Sequence, residues 1–143
     1  MKRCLVDVNV LLALLVRHHE HNGRALRWFD GLVAGEAILC RFVQLALIRL
    51  LGNRTVMGKH AVSASVAWDL IEDLMKDERL EFAAEPAQVD AVLPKLLRYT
   101  GPTNKLVGDA YLAAFAIAGE MRLVTIDKGL EQFRGLDIEL LNS

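Results

Sequence analysis

The sequence predicts an α/β domain built on a parallel sheet, and three observations carry that reading. Short β-type runs alternate with longer stretches of helical periodicity. The most apolar of the helical stretches has no polar face, as a helix packed in a core would not. At 143 residues and 53% hydrophobic, the chain has the size and composition of one ordinary domain, and no repeat, low-complexity linker or shift in composition divides it. Alternation of this kind places helices on both faces of the sheet.

Taken in order, the β-type runs are residues 3–6 (RCLV), 37–40 (AILC), 80–83 (LEFA), 122–126 (RLVTI) and 137–140 (DIEL). Asp7 ends the first run, and the following "VNVLLALL" is a helix for which Asp7 is a natural N-cap. In "NGRALRWFDGLVAG", Ala25, Leu26, Phe29, Leu32 and Val33 share a helical face and Gly35 is the expected stop. A helix follows Cys40, with Phe42, Leu45, Ala46, Ile48 and Leu50 as its apolar positions. "SASVAWDLIEDLMKDE" predicts another, placing Val66, Leu70 and Leu74 inward and its acids toward water, and residues 87–99 resemble it. "RYTGPTNK" at 98–105 is a loop whose Asn or Thr can cap the next helix, "VGDAYLAAFAIAG" at 107–119. That helix is apolar apart from Asp109, so it is expected to be central and buried.

Composition excludes several classes. A net charge of −1 exerts no global pull on nucleic acid or anionic membrane, so a polyanion would have to be held by a local patch or by cations. Cys4 and Cys40 lie apart in apolar segments without metal-ligand spacing, and reduced, buried thiols are expected. Asn9, Arg17 and Asp109 interrupt the apolar stretches before any reaches the roughly 20 residues of a membrane span. Lys2 and Arg3 precede an apolar run, but no small-residue cleavage site follows; a cytoplasmic protein is expected.

Three acids stand beside strongly apolar sequence at the edges of elements. Asp7 follows the first strand, Asp109 opens the apolar helix, and Asp127 ends the fourth strand in "LVTIDKGL". Each has an ordinary explanation: a cap for Asp7, a favourable helix N-terminus for Asp109, a turn before Lys128-Gly129 for Asp127. Ligand sites of open parallel sheets form outside the carboxyl ends of the strands, where Asp7 and Asp127 both emerge. Converging carboxylates repel one another, and a divalent cation relieves the repulsion. An oxygen-only set favours Mg²⁺ or Mn²⁺ and disfavours zinc.

With these residues in view, the chain resembles the PIN-domain ribonucleases, and more narrowly the VapC-type toxins of type II toxin–antitoxin pairs. The resemblance rests on "LVDVNVLLAL", "HNGRALRWF", "FVQLALIRLLGN", "VGDAYLAAFAIAG" and "LVTIDKGL", in order from residue 3 to about 140. It implies a single PIN-like domain over residues 1–143, with three α/β/α layers around a mostly parallel sheet of four to five strands. It also implies Mg²⁺- or Mn²⁺-dependent hydrolysis of RNA, of a structured kind such as tRNA or rRNA, that inhibits translation and growth. Asp7, Asp109 and Asp127 would hold the metal and, with Gln44, form the catalytic set. Gln44 stands where the family usually has an acid; the alternatives are a direct or water-mediated ligand and an ordinary helix residue. The substitution keeps open a second reading, a catalytically weak module that binds RNA or protein. The expected partners are a small VapB-type antitoxin and a second copy of the chain, with exposed apolar residues between 42 and 76 as candidate surfaces, and no membrane.

Asn9 and Thr125 are candidates to orient a carboxylate or water, or to play structural roles only. Residues 37–68 contain no acid but include Arg41, Arg49, Arg54 and Lys59; residues 93–108 again lack acids and include Lys95, Arg98 and Lys105. Of these, Arg41, Arg49, Arg54, Lys59 and Lys105 are the expected RNA-binding residues, solvated helix faces being the alternative. His18, His19 and His21 have poor spacing for joint ligation and are expected to cap or to be solvated. A phospho-acceptor receiver domain would want paired acids early in the chain, and a haloacid-dehalogenase-like enzyme would want an Asp where Asn9 stands.

Overall fold

The structure, a computed structural model, describes residues 2–100 and 103–141. Five strands form one sheet: β1 (Cys4–Val6), β2 (Ala37–Leu39), β3 (Leu80–Phe82), β4 (Arg122–Thr125) and β5 (Ile138–Leu140). Every pairing is parallel and the order is β3-β2-β1-β4-β5. All five predicted strands are therefore present, each trimmed at its ends. The chain builds outward from β1 to one side and then crosses over to the other, so the order reverses between β1 and β4. Leu5, Val6, Ile38, Leu39, Leu123 and Val124 are fully buried, as the inner strands of a sheet covered on both faces must be.

Among the described residues the helices are α1 (Val8–Leu15), α2 (Asn22–Asp30), α3 (Arg41–Leu51), the short α4 (Arg54–Met57), α5 (Ala64–Leu74), α6 (Val89–Tyr99) and α7 (Val107–Ala118). Helices α1, α2, α3 and α5 pack on one another, and α6 packs on α7. Crossovers between parallel strands are right-handed as a rule, which places these two groups on opposite faces and gives three layers. Ala110, Ala113, Ala114 and Ala116 of α7 are buried with Leu112 and Phe115; their small side chains let the helix backbone lie close to its neighbours. Helix α7 is as central as its composition predicts.

Helices α3 and α5 bury a different face from the expected one, while α2 buries Ala25 and Phe29 as expected but ends early. Helix α2 ends at Asp30, capped by Gly31, so Leu32 and Val33 lie outside it; it buries Ala25, Trp28 and Phe29 and leaves Leu26 exposed. Gly35 is not the stop of α2. It occupies φ 74° in the turn before β2, a region favourable to glycine, where a side chain would also meet Glu81. Helix α3 buries Val43, Gln44, Leu47 and Leu51, while Phe42 and Leu45 face solvent. Helix α5 buries Ala67 and Ile71 and exposes Val66 and Leu70. The cause is the same in α3 and α5: each carries apolar residues around more of its circumference than the core can cover, and docking selects the stripe.

The loop expected over 98–105 includes Gly101 and Pro102, which lie outside the described residues. Helix α7 begins without a side-chain cap; Thr103 Oγ1 accepts from the Lys105 amide, and Asn104 contributes its carbonyl to the Val107 amide. Cys4 and Cys40 are free and buried, and burial pushes the Cys4 thiol up to about 11. Among the described residues no helix is long and apolar enough to cross a membrane.

The helix faces yield a direct test. Leu47→Ala on α3 is expected to lower stability by about 2–5 kcal/mol, and Leu45→Ala by no more than about 0.5 kcal/mol. Urea denaturation of both variants checks it.

Candidate functional site at the carboxyl edge of the sheet

Asp7 leaves the carboxyl end of β1 and caps α1, its Oδ1 accepting from the Val8 amide at 2.7 Å. Its Oδ2 accepts from the Thr125 hydroxyl at 2.7 Å, across the point where the strand order reverses. The same Thr125 oxygen accepts from the Asp127 amide at 3.0 Å and from Asn9 Nδ2 at 3.4 Å. A hydroxyl has one proton and two lone pairs. Two N–H donors occupy the acceptor side of Thr125, so its proton is directed at Asp7, and that oxygen of Asp7 is an acceptor. Asn9 completes the ring through Oδ1, which accepts from the Ile126 amide at 3.3 Å. Thr125 is fully buried and Asp7 nearly so. The two residues expected to orient a carboxylate thus both touch the loop after β4, and Thr125 touches Asp7 itself.

Asp109 lies half-buried in the first turn of α7, where the helix dipole favours a carboxylate. That turn abuts the start of α3: a Cβ at Gly108 would come within 3.1 Å of Phe42. Asp127 is exposed, and its Oδ1 accepts from the Gly129 amide at 2.8 Å, capping the 3₁₀ turn Lys128–Gln132. Each acid therefore does perform the local task that its neighbourhood suggests, and the three also feel one another. Burial raises the Asp7 carboxyl above its ordinary value, with the Asp127 charge adding to it. Burial raises Asp109 likewise, helped by Asp127 and Asp7.

The donor set is all oxygen, which suits a hard divalent cation better than zinc. Each Asp7 oxygen has a single protein donor and retains a lone pair. Among the described residues, however, no three His, Cys, Asp or Glu side chains are grouped so as to hold one ion as they stand. Asp127 is engaged with the Gly129 amide. Drawing the set around an ion would require Asp127 to rotate off an amide that the exposed turn leaves accessible to water.

Gln44 is buried at 6% exposure in the first turns of α3, and its Oε1 accepts from Arg41 Nη1 at 2.7 Å. Arg41 is exposed at the carboxyl end of β2, and Lys105 precedes α7; both are at the carboxylate edge in the chain's course. Arg49 lies exposed two turns down α3. Arg54 and Lys59 come beyond its end, roughly 16 Å away for a helix of this length, and line a cavity of about 500 Å³ with Gly58 and Ala61. The histidines lie at the far end of α1 as well: His18 stacks near His60 with ring centroids 5.3 Å apart, and His19 Nδ1 accepts from the His21 amide. They do not join the carboxylates. One pair at the site edge was not singled out from the sequence, Tyr111, whose hydroxyl donates to Glu85 Oε1 at 2.7 Å. Its signal was a lone phenol two residues after Asp109 in an otherwise apolar helix.

Residues 4–136 match the PIN domain family. The chain is 37% identical over 142 residues to Ribonuclease VapC41 of Mycobacterium tuberculosis (strain ATCC 25618 / H37Rv), covering 96% of this chain and 97% of that one. Among solved structures it resembles VapBC2 from Rickettsia felis bound to a DNA fragment from its promoter, with a TM-score of 0.67, 16% identity and coverage of 96% and 97%. It also resembles Mycobacterium tuberculosis VapC20, described as a Sarcin-Ricin loop cleaving toxin, with a TM-score of 0.64, 17% identity and coverage of 94% and 98%.

A raised carboxyl pKa fixes the sign of a pH effect. The folded chain holds the Asp109 proton more tightly than the unfolded chain, so that contribution to stability is fully present below about 3.8 and is lost as pH rises through the folded value. Asp109→Asn in chelator-containing buffer is therefore expected to raise the urea midpoint at pH 7 above that of the unsubstituted chain. The gain should shrink toward zero as pH falls to the ordinary carboxylate range.

Proposed function

The chain belongs to the PIN-domain family, in its VapC branch, and from that premise we propose that it is a metal-dependent endoribonuclease acting as the toxin of a toxin–antitoxin pair. The observation that supports the reading is that Asp7, Asp109 and Asp127, from the end of β1, the start of α7 and the loop after β4, lie near enough for the charges of Asp127 and Asp7 to raise Asp109. Asp7, Asp109 and Asp127 would hold one Mg²⁺ or Mn²⁺. When bound, such an ion supplies polarisation of a phosphoryl oxygen and a lowered pKa for water at neutral pH.

The chain's own groups do the rest. Thr125 and the Val8 amide fix the Asp7 carboxylate in one orientation, so little rearrangement is needed to present its free lone pairs. Asn9 holds the backbone after β4, and with it the base of Asp127. Three carboxylates repel a phosphodiester, so the substrate must be attracted by other charges. Arg41 and Lys105 near the carboxylates, with Arg49 on α3, Arg54 on α4 and Lys59 in the turn that follows, are the proposed phosphate contacts. Water attack with departure of the 3′-oxygen leaves a 5′-phosphate and requires no 2′-hydroxyl. A structured RNA such as tRNA or rRNA is the proposed substrate, and a cytoplasmic location goes with it.

The proposed partners are a small VapB-type antitoxin and a second copy of the chain. The likeness to a VapBC assembly supports the first. The exposed Phe42, Leu45, Val66, Trp68 and Leu70 supply apolar surface for contacts of this kind. A weakly catalytic binding module is the second reading, favoured by the neutral Gln44 in place of an acid.

Incubation of the purified chain with tRNA or rRNA in Mg²⁺ or Mn²⁺ is expected to give discrete fragments with 5′-phosphate ends. Chelation should abolish cleavage, and Asp7→Ala should reduce it by about 100-fold or more, an effect of a few kcal/mol in the barrier. RNA bound but not cut would favour the second reading, and activity surviving Asp7→Ala would indicate a contaminating nuclease.

A further inference from the structure

Gln44 has the position expected of a metal donor, yet its amide oxygen is committed elsewhere. Arg41, one turn earlier on α3, donates to it from Nη1 at 2.7 Å. The guanidinium carbon of Arg41 lies 5.0 Å from the Phe82 ring centroid and 5.9 Å from that of Trp68. These rings come from β3 and α5, so three separate elements fix one exposed cation beside the carboxylate edge. Among the described residues Arg41 takes part in no ion pair. The contrast with Arg79 is instructive: it too lies over an aromatic ring, that of Phe29, but Asp77 meets it at 2.7 Å and neutralises it.

We infer that Gln44 is a positioning residue for Arg41, holding its guanidinium by a neutral hydrogen bond so that its full charge and remaining N–H donors face an RNA phosphate at the lip of the site. The chemistry of the substitution supports this. A glutamate at 44 would hold Arg41 as firmly or more so, through a charge-assisted bond, but would cancel the charge that attracts the phosphate. A glutamine fixes the geometry and leaves the charge in place. Arg has five N–H donors in a rigid fork and one is used at Gln44, which leaves an edge for bidentate contact with a phosphate. The aromatic shelf of Phe82 and Trp68 limits where that edge can point and lowers the ordering cost of binding. The neutral residue at 44 is then no vacancy in a metal site. It is part of a phosphate clamp, and the carboxylate set is Asp7, Asp109 and Asp127 alone.

This inference rests on the proposal that the chain binds RNA, and the test separates the two. Binding of a fluorescein-labelled mixed-sequence oligoribonucleotide is measured by anisotropy in EDTA over a range of salt concentrations. The unsubstituted chain is compared with Arg41→Ala, Gln44→Glu, Gln44→Ala and the Arg41→Ala/Gln44→Ala double variant, with thermal melts to verify folding. Arg41→Ala is expected to weaken binding about ten-fold and to lower the slope of log Kd against log salt by roughly one. Gln44→Glu should have a similar effect, and Gln44→Ala, which frees the guanidinium, should weaken binding alone but add little in the Arg41→Ala background, because the two act through one group. Additive losses, or RNA binding unchanged by Gln44→Glu with tighter Mn²⁺ binding by calorimetry, would overturn the assignment and return Gln44 to the metal. No RNA binding by the folded, unsubstituted chain would overturn the nuclease reading itself.

Discussion

The hydrogen bond from the Thr125 hydroxyl to Asp7 Oδ2 joins the ends of the two strands between which the strand order reverses. A carboxylate buried to 5% exposure is costly unless its oxygens are satisfied. Here one oxygen is satisfied within its own element, by the amide that opens α1, and the other by a residue 118 positions away. The arrangement requires β1 and β4 to be neighbours, parallel and in register, with Val6 opposite Val124. It also orders the loop after β4, because Thr125 and Asn9 each accept one of its amides. The position of Asp127 follows from that loop, and the site follows from Asp7 and Asp127 together.

Folding alone does not require the electrostatic strain that remains. Burial and neighbouring charge raise Asp7 and Asp109, so the folded chain carries carboxylates that it would hold more readily protonated. Structural salt bridges do the reverse: Arg79 lowers Asp77 to about 2. Groups raised together at a sheet edge are typical of sites that receive a cation. The three acids are not grouped tightly as they stand, and the Asp127 carboxylate is engaged with a turn amide that water could replace.

Much of this was legible in the sequence, unevenly. The strands stood out because short apolar runs bounded by turn residues have few other uses, and the three acids because each stands beside strongly apolar sequence at the edge of an element. The inward faces of α3 and α5 did not stand out. In α3, Phe42, Leu45 and Leu50 compete with Val43, Leu47 and Leu51 for the core, and hydrophobicity does not rank the two stripes. Only the docking of α3 against α1 and α5 decides, and that is a property of the assembled layers. The engagement of Gln44 was hidden for a similar reason: Arg41 is steered by Phe82 and Trp68, which are remote in sequence. Residue type marked the acids, whereas packing set the arginine.

The central claim is that Asp7, Asp109 and Asp127 make one cation site. Anomalous diffraction from crystals of the chain grown with Mn²⁺ tests it most directly, because the ion is located without reference to activity. A single peak with oxygens of all three carboxylates, directly or through one water, at roughly the 2.0–2.1 Å expected for a small hard cation is the predicted result. A peak that leaves out Asp7, or no peak at this edge at saturating Mn²⁺, would contradict it.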